Sequence, residues 1–438
     1  MDAQQMIELC KKHTMYSWSA TGSVNPLPVA RAEGVYFYAP DGRRWLDFNS
    51  QLMSVNIGHG HPKVIEAIRK QAETLCFAFP GSATEVRARL GQKLAELCPG
   101  DIDVFFFTLG GAEANEQAIR AARLYTGRHK ILARYRSYHG GTNATLMLTG
   151  DPRRLANEPG MPGVVHVMDP EPYTYSFGKT PEEIVRNNLT YLEEVIRYEG
   201  PQQIAAMFVE SVTGTNGVLP PPPGYLKGLR ALLDKYGILL VCDEVMAGFG
   251  RTGKLFAFMH DDVLPDIVTM AKGLTSSYLP LGAMGVRQPI ADHFQKNVFW
   301  GGLTYNSHPM GLAAAIAAID VLVGEGLIEN AARLQPVMHE QMAALKRKHP
   351  AIVAHRNRGL FGILDTSLGG YNEGHPALAA FHKHLIDHGL FTMLHWGSIM
   401  TNPPLCITEE QLQEGFAILD SGMHLLDDAA QAASEAQR

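Results

Sequence analysis

The chain has 438 residues, 46% of them hydrophobic, and a formal net charge of −6 with charges of both signs scattered along it. This length is enough for two domains, and this composition excludes a globally disordered protein. No basic block and no long uncharged apolar run is present, so we expect neither nucleic-acid binding nor a membrane span.

A β-hairpin and a helix are the first elements that the sequence predicts. Residues 35–48 alternate in the manner of two strands, and Asp41-Gly42 between them is a dipeptide that favours a tight turn. From His61 onwards the apolar residues recur at the spacing of a helix.

The middle of the chain alternates short apolar runs with helical patterns. The apolar runs predicted to be strands are 104–109, 131–134, 205–210, 237–244 and 266–271. Such alternation is typical of βαβ units that form a mostly parallel sheet with helices on both faces. Ligands of such sheets bind at the carboxyl ends of the strands, where Glu210, Asp243 and Lys272 fall.

After Pro309 the sequence predicts two long helices, 311–323 and 331–348, and then a short α+β segment. We therefore predict an α/β protein with two domains. The large domain, residues 62–309, holds the mostly parallel sheet flanked by helices. Residues 1–61 and 310–438, from both chain ends, together form a smaller α+β domain.

Two short motifs suit different parts of a ligand. In residues 108–116 (TLGGAEANE) a strand runs into a glycine pair and a helix start, whose free N–H groups suit a phosphate. Tyr138-His139-Gly140 places an aromatic side chain at a strand end, where it can stack on a planar ring. An ordinary tight turn explains the first motif alone equally well, and a packed tyrosine beside a surface histidine explains the second alone better.

Two ionisable residues at strand ends point to chemistry. Asp243 follows four apolar residues, and a carboxylate buried there needs a cationic partner such as a protonated ring nitrogen. A helix N-cap or an ion pair with Arg251 is the alternative. Lys272 ends an apolar strand, where desolvation lowers the pKa of a lysine and favours the neutral amine that attacks aldehydes. A lysine whose amine extends to solvent is the alternative here.

The order GGAEANE, YHGG, DEVMAGFGRTG, AKGL, LTYNSHP and PPLCIT resembles the class III pyridoxal 5′-phosphate (PLP)-dependent aminotransferases of fold type I. The resemblance runs from about Trp18 to Leu426, and its most specific part is DEVMAGFGRTG with Lys272 beyond it. It implies PLP as the cofactor. The cofactor-binding residues that it implies are Gly111, Ala112, Tyr138, His139, Glu210, Asp243, Val245, Lys272 and Thr304.

The resemblance also implies roles for single residues. Lys272 is expected to bind PLP as a Schiff base and Asp243 to pair with its ring nitrogen, so these two are the expected catalytic residues. Thr304 is expected to reach the phosphate of a neighbouring subunit, which implies a homodimer or a dimer of dimers. The turn Gly110-Gly111-Ala112 departs from the Ser-Gly-Ser or Ser-Gly-Thr of the family, so hydroxyl contacts to the phosphate are lost.

The segments NSHP and NPPLCIT look most like the branch that acts on ω-amines and pyruvate, including taurine–pyruvate enzymes. The implied reaction moves an amino group from a primary amine or ω-amino acid to a keto acid such as pyruvate. Amine:pyruvate members commonly have a late arginine for the substrate carboxylate, but residues 388–400 contain none. We therefore expect either a less acidic amine donor or a different residue for its acid group. His395 and Arg358 are the candidates for binding the keto-acid carboxylate, and a structural ion pair explains Arg358 equally well. Tyr16, Trp18 and Met53 are expected to line the substrate pocket.

The closest alternative is an aminomutase or racemase on the same fold, which would keep Lys272 and Asp243. A relative that only binds PLP or a partner is not favoured, because both residues are intact. A nicotinamide dehydrogenase is not favoured either, because GxGxxG is missing after a first strand.

The five cysteines are odd in number, far apart and without a CxxC pair. This pattern is typical of a reduced intracellular protein and gives no reason to expect a metal site. The N-terminus lacks the pattern of a signal peptide. We therefore expect a soluble, cytoplasmic protein.

Overall fold

The computed structural model describes residues 1–172, 174–370 and 375–436. Its helices are α1 (Ala3–His13), α2 (Ser50–Met53), α3 (Pro62–Thr74), α4 (Glu85–Leu97), α5 (Gly111–Thr126), α6 (Asn143–Leu148), α7 (Pro181–Glu199), α8 (Tyr225–Tyr236), α9 (Gln288–Lys296), α10 (Pro309–Gly324), α11 (Leu327–Lys348), α12 (Pro376–Asp387), α13 (Glu409–Gly422) and α14 (His424–Ala436). Its strands are β1 (Arg31–Glu33), β2 (Tyr36–Tyr38), β3 (Arg44–Asp47), β4 (Ile102–Thr108), β5 (Lys130–Arg134), β6 (Val164–Val167), β7 (Ile204–Glu210), β8 (Leu239–Asp243), β9 (Ile267–Met270), β10 (Gly282–Arg287), β11 (Ile352–Arg358), β12 (Phe361–Thr366), β13 (Leu390–Phe391), β14 (Leu394–His395) and β15 (Ser398–Thr401).

A seven-stranded sheet in the order β4-β10-β9-β8-β7-β5-β6 forms the centre of the molecule. Its strands run in one direction except β10, which pairs antiparallel with β4 and β9. The prediction of a mostly parallel sheet is confirmed. Sequence reasoning missed β10 because its two glycines, Gly282 and Gly285, are uncommon in strands. At Gly282 a Cβ atom would lie 2.5 Å from the carbonyl oxygen of Gly110, so only glycine fits there.

The predicted apolar runs form strands β4, β5, β7, β8 and β9. Every residue of β7, β8 and β9 is buried, because successive side chains enter separate cores on the two faces of the sheet. In the parallel register Glu210 pairs with Asp243, and Asp243 pairs with Thr269. Three neighbouring strands therefore bring the predicted polar residues to one edge of the sheet.

The two chain ends share a second sheet, in the order β1-β2-β3-β13. Its hairpin β2–β3 is the predicted one, and β13 runs parallel to β3 with Leu390 paired to Leu46. A third sheet, β11-β12-β15-β14, lies within the C-terminal part. These sheets agree with a smaller α+β unit built from both chain ends. Helices α3 and α10 begin at Pro62 and Pro309, but the domain boundaries drawn there remain predictions.

Helices α10 and α11 confirm the two long helices predicted after Pro309. Most of α10 is buried, which explains its continuous apolar sequence. Within the described residues no single helix is long and apolar enough to cross a membrane, and only the bent pair α10 and α11 together reaches that length and composition.

The guanidinium of Arg251 is fully buried between the central sheet and the chain ends. It donates hydrogen bonds to the carbonyl oxygens of Leu360 and Pro403, to Oγ of Ser50 and to Oδ1 of Asn56. Burial lowers its pKa to about 9. The ion pair with Asp243 considered above is therefore not formed, because Arg251 is directed to other partners.

Candidate active site

A cavity of about 910 Å³ lies at the carboxyl ends of β7, β8 and β9 and at the N-terminus of α5. The predicted cofactor-binding residues that line it are Gly111, Ala112, Tyr138, His139, Glu210, Asp243, Val245 and Lys272. The predicted substrate residues that line it are Trp18, Met53 and His395. Thr304, Tyr16 and Arg358 are not part of the described lining.

Lys272 follows strand β9 and opens a single 3₁₀ turn, Lys272–Leu274. Its φ of 43° lies in the left-handed region, a strained conformation of the kind that clusters at functional sites. The side chain is partly buried, and desolvation lowers the pKa of the amine to about 8 against the opposing charges of Asp243 and Glu210. Part of the amine is therefore neutral near pH 7 and nucleophilic.

Asp243 is a buried carboxylate that accepts hydrogen bonds on both oxygens. Its Oδ2 accepts from Nδ1 of His139 at 2.8 Å and from Nδ2 of Asn115 at 2.8 Å. Its Oδ1 accepts from the backbone N–H of Val245 at 3.0 Å. Three donors therefore hold the carboxylate in one orientation. Asn115 also lines the cavity, a function that the sequence analysis did not assign to it.

Two further carboxylates beside Asp243 bind backbone groups. Glu210 accepts from the N–H of Tyr138 at 3.0 Å and from the N–H of Gly214 at 2.7 Å, and burial raises its pKa. Glu244 accepts from the N–H groups of Ala257 and Phe258, and burial raises its pKa to about 7. Glu210 therefore positions the loop that carries Tyr138, and Glu244 holds a turn behind the site.

The N-terminus of α5 is open to the cavity at Gly111 and Ala112, and among the residues that the structure describes no side chain caps it. A Cβ atom at Gly111 would lie 2.8 Å from both methyl carbons of Val245. A Cβ atom at Gly140, whose φ is 140°, would lie 2.6 Å from the Cβ of Ala112. Glycine is thus required where these loops meet, and the uncapped N–H groups can bind an anion.

The donor set of this cavity fits PLP. Asp243 can pair with a protonated ring nitrogen, and the Lys272 amine can attack the aldehyde. The uncapped N-terminus of α5 can bind the phosphate through backbone N–H groups. These groups are needed because Gly110-Gly111-Ala112 lacks the hydroxyl side chains that other members of the family have at this turn. Tyr138 and Val245 line the cavity as the aromatic and aliphatic walls that a planar ring needs.

Arg153 lines the same cavity, and sequence reasoning missed it. The guanidinium of Arg153 donates to the fully buried carboxylate of Asp151, from Nε at 3.0 Å and from Nη2 at 2.5 Å. Nη2 of Arg153 also donates to Oγ1 of Thr215 at 2.9 Å. The only signal was the Asp-Pro-Arg-Arg order at residues 151–154, which opens a short 3₁₀ helix. Nothing local distinguishes Arg153 from Arg154, whose Nε binds Glu158 at 2.9 Å outside the cavity.

Of the two residues predicted to bind the substrate carboxylate, His395 lines the cavity and Arg358 does not. His395 lines the cavity, but burial and the charge of Arg153 lower its pKa to about 4, so the imidazole is neutral at pH 7. Arg358 lies on β11, the edge strand opposite the one that carries His395 in the order β11-β12-β15-β14. Its charge acts on Asp261 and His260 instead. Arg358 therefore lies outside the described lining of the cavity, and the role expected for it towards the substrate remains a prediction.

Two more predicted residues lie outside the cavity lining. Trp18 forms a wall of the cavity edge-on to Tyr138, with ring centroids 6.1 Å apart. Tyr16 precedes it outside the described lining, so the role expected for Tyr16 remains a prediction. Thr304 is exposed at the surface of the protomer. That position is compatible with the role expected for it towards a neighbouring subunit, which remains a prediction.

Known proteins with similar sequences and structures support this reading of the cavity. The Aminotransferase class-III family model matches residues 18–423. A taurine:2-oxoglutarate aminotransferase from Bifidobacterium kashiwanohense, solved in complex with PLP and glutamate, is 38% identical with a TM-score of 0.94, covering 98% of this chain and 99% of that chain. An (S)-enantioselective omega-transaminase from Thermomicrobium roseum is 36% identical with a TM-score of 0.90 and the same coverage.

The taurine–pyruvate aminotransferase of Bilophila wadsworthia is 33% identical over 83% of this chain and 82% of its own length. These similarities confirm the expected PLP fold type I and the expected cofactor. They also confirm the transfer of an amino group to a keto acid. The chain belongs to the class-III aminotransferases, which use pyridoxal 5′-phosphate.

Proposed function

We propose that this aminotransferase takes amine donors with an acid group at the far end and passes the amino group to a small keto acid such as pyruvate. Arg153 carries the proposal. Within the described residues, Lys272 and Arg153 are the only lysine and arginine side chains that line the cavity. Since Lys272 is needed for the cofactor, Arg153 is left to bind the carboxylate or sulfonate of a substrate.

The surroundings of Arg153 suit that task. Asp151 and Thr215 hold the edge of the guanidinium, so little side-chain freedom is lost when an acid binds. Arginine binds oxyanions with two parallel N–H groups, whereas the neutral His395 offers one donor at most. The same residue can serve the donor and the keto acid in turn, because the two half-reactions use one cavity.

The named relatives support an acid-bearing donor. Two of them are named for taurine, an amine with a sulfonate, and one was solved with glutamate. Their identities of 33–38% leave the donor of this chain as a proposal.

The residues of the cavity divide the chemistry between them. PLP, when bound, supplies the electron sink that stabilises negative charge at the reacting carbon. The Asp243 carboxylate keeps the ring nitrogen protonated, which its three hydrogen-bond donors make possible. Nζ of Lys272 takes and returns the proton at the substrate carbon, and its pKa of about 8 keeps both protonation states accessible near neutral pH. Arg153 orients the substrate for that transfer.

Arg153→Gln tests the proposal, with Arg154→Gln as the matched control outside the cavity. The donors compared are taurine, β-alanine and the uncharged propylamine, with consumption of pyruvate measured against amine loss. We expect Arg153→Gln to raise the KM for the two acidic donors at least about tenfold, the effect of losing a charged hydrogen-bond pair, without changing that for propylamine. Because Arg153 is proposed to bind pyruvate as well, the donor half-reaction is also followed alone at the bound cofactor, without pyruvate. An equal loss for all three donors in that half-reaction, or no loss, would contradict a role in acid binding.

We also propose a homodimer, or a dimer of dimers. Thr304 is exposed, and its neighbour Tyr305 is 52% exposed and packs edge-on to Phe77, which is 44% exposed. Exposed aromatic surface of this kind is typical of interfaces. Light scattering and the PLP affinity of Thr304→Ala test the proposal. An active monomer contradicts the homodimer, and a PLP affinity unchanged in the variant contradicts the role of Thr304 towards the neighbouring phosphate.

We propose a cytoplasmic location as well. All five cysteines are free thiols, and burial raises the pKa of Cys98 to about 12. Free thiols persist in reducing compartments. Cell fractionation tests this proposal, and recovery from an oxidising compartment contradicts it.

A further inference from the structure

A buried hydrogen-bonded chain lies behind the carboxylate of Asp243. Oγ1 of Thr269 binds Oδ1 of Asn115 at 2.7 Å. Nδ2 of Asn115 in turn binds Oδ2 of Asp243 and the carbonyl oxygen of His139, each at 2.8 Å. Thr269 and Asn115 are almost fully buried, so solvent does not compete for these groups.

The direction of every bond in this chain is fixed by chemistry. The carboxylate of Asp243 and the carbonyl of His139 can only accept, so both must face the NH₂ group of Asn115. With the amide turned over, its oxygen would face two acceptor oxygens without a proton between them. The amide oxygen therefore faces Thr269, whose hydroxyl is the donor.

The hydroxyl of Thr269 has no packing reason to be there. Strand β9 reads Ile-Val-Thr-Met and is buried at every position, where valine has nearly the same shape as threonine. A buried hydroxyl is retained at such a site at the cost of its desolvation unless it is hydrogen-bonded. The hydroxyl of Thr269 donates its hydrogen bond to Oδ1 of Asn115.

We infer that Thr269 and Asn115 are a positioning pair that holds the Asp243 carboxylate oriented towards the cofactor ring nitrogen. Thr269 locks the amide of Asn115, and Asn115 donates to Oδ2 of Asp243. The His139 and Val245 donors complete the set, and Oδ1 keeps a lone pair for the ring nitrogen. This inference rests on the PLP chemistry of the family and not on the donor assigned to Arg153.

The pair also joins the two ends of the cofactor site. Thr269 lies on β9, Lys272 lies three residues further along the chain, and Asn115 lies one turn along α5 from Gly111. The phosphate end, the ring-nitrogen end and the reactive amine are thus connected through two buried side chains. We therefore expect a substitution of Thr269 to affect the pairing of Asp243 with the ring nitrogen, although Thr269 is not among the described residues that line the cavity.

The test compares Thr269→Val, which keeps the shape and removes the hydroxyl, with Thr269→Ser, which keeps the hydroxyl. Four quantities are measured: the dissociation constant of PLP, the pH dependence of the absorbance of the bound cofactor, kcat and KM, and the apoprotein Tm. The absorbance titration needs no substrate, so it is independent of the proposed donor. The titratable groups that face the ring, His139, Glu210 and Lys272, are unchanged in both variants.

We expect Thr269→Val to lower kcat about tenfold, as the loss of a hydrogen bond in a network on a charged group does, and to leave the donor KM unchanged. The cofactor absorbance, which follows the proton on the nitrogen that joins Lys272 to PLP, should titrate at higher pH, because a ring nitrogen that is less firmly protonated withdraws less charge from that nitrogen. PLP should also bind more weakly. Thr269→Ser should restore all three. A Thr269→Val enzyme with the wild-type titration and kcat overturns the inference.

A second pair of variants covers the case in which Thr269→Val does not fold. Thr269→Ala and Thr269→Ser both lack the methyl group and differ only in the hydroxyl. If alanine and serine give the same cofactor titration and kcat, the hydroxyl does not position Asp243. If alanine alone shifts the titration while the apoprotein Tm values agree, the inference stands.

Discussion

The guanidinium of Arg153 lies over the face of Tyr138, with its central carbon 3.9 Å from the centre of the phenol ring. Tyr138 is thus shared between the cofactor side and the substrate side of the cavity. The ring holds one face of the guanidinium while Asp151 holds its edge.

Tyr138→Ala should therefore weaken the binding of acid-bearing donors, whereas Tyr138→Phe should not. The ring face is kept in phenylalanine and lost in alanine, and a partly desolvated cation–π contact is worth about 1–2 kcal/mol. We expect the KM for taurine to rise about fivefold or more in Tyr138→Ala at saturating PLP. Propylamine provides the comparison, since a rise of equal size for this donor would place the effect on the cofactor alone.

The amine of Lys272 should set the pH dependence of PLP uptake by the apoprotein. Its pKa of about 8 lies below the 10.5 of an ordinary lysine, so the ammonium form predominates below pH 8 and the reactive neutral form above it. The rate of PLP incorporation should rise through pH 8 and then level off. Stopped-flow absorbance measures this rate, and Lys272→Ala should show neither the bound spectrum nor turnover. Borohydride fixing PLP to another lysine would contradict the assignment.

The lowered pKa of Lys272 also makes the stability of the apoprotein depend on pH. Between pH 8 and 10.5 the unfolded chain binds a proton at Lys272 that the folded apoprotein does not, so this group makes folding more favourable as the pH rises through that window. Below pH 8 the cost of burying the amine is present in full.

Asp243→Asn should retain some PLP but lose most activity, because a neutral amide cannot keep the ring nitrogen protonated. We expect kcat to fall by several powers of ten, at ~1.4 kcal/mol in the barrier per tenfold. Glu244→Gln is the matched control, because Glu244 is also buried but binds the N–H groups of Ala257 and Phe258. Glu244→Gln should lower the Tm and leave kcat close to that of the wild type. Turnover of Asp243→Asn close to the wild type would remove Asp243 from the mechanism.

Arg251→Met should destabilise the protein by about 3 kcal/mol or more, because four buried acceptors lose their donor. Arg358→Met is the control at an edge strand, where a change of less than about 1 kcal/mol is expected. Urea denaturation of both variants measures these differences. Arg358→Met should also leave the KM for pyruvate unchanged, and a large rise would restore Arg358 as a substrate residue.

Particular residues show what the sequence could and could not predict. Asp243 and Lys272 were identified because each follows a continuous apolar strand, and in a parallel sheet such strands end at one edge. Arg153 was missed because its position in the cavity depends on Asp151 and Thr215, which are distant from one another along the chain. The position of Arg358 outside the cavity lining could not be predicted, because the order of strands within a sheet is a long-range property. The function of Asn115 was not predicted, because its amide binds Asp243 on β8 and Thr269 on β9, which are distant in the sequence.

The pairing of β13 with β3 gives the chain an order of assembly during synthesis. The hairpin β2–β3 leaves the ribosome early, yet its parallel neighbour and the acceptors of Arg251 at Leu360 and Pro403 are made near the end. The wall formed by Trp18 and Met53 likewise meets Trp396 only in the nearly complete polypeptide. A chain that ends before β13 therefore has Lys272 and Asp243 but lacks the residues 393–396 that complete the cavity lining, so we expect it to bind the cofactor less well than the full chain does.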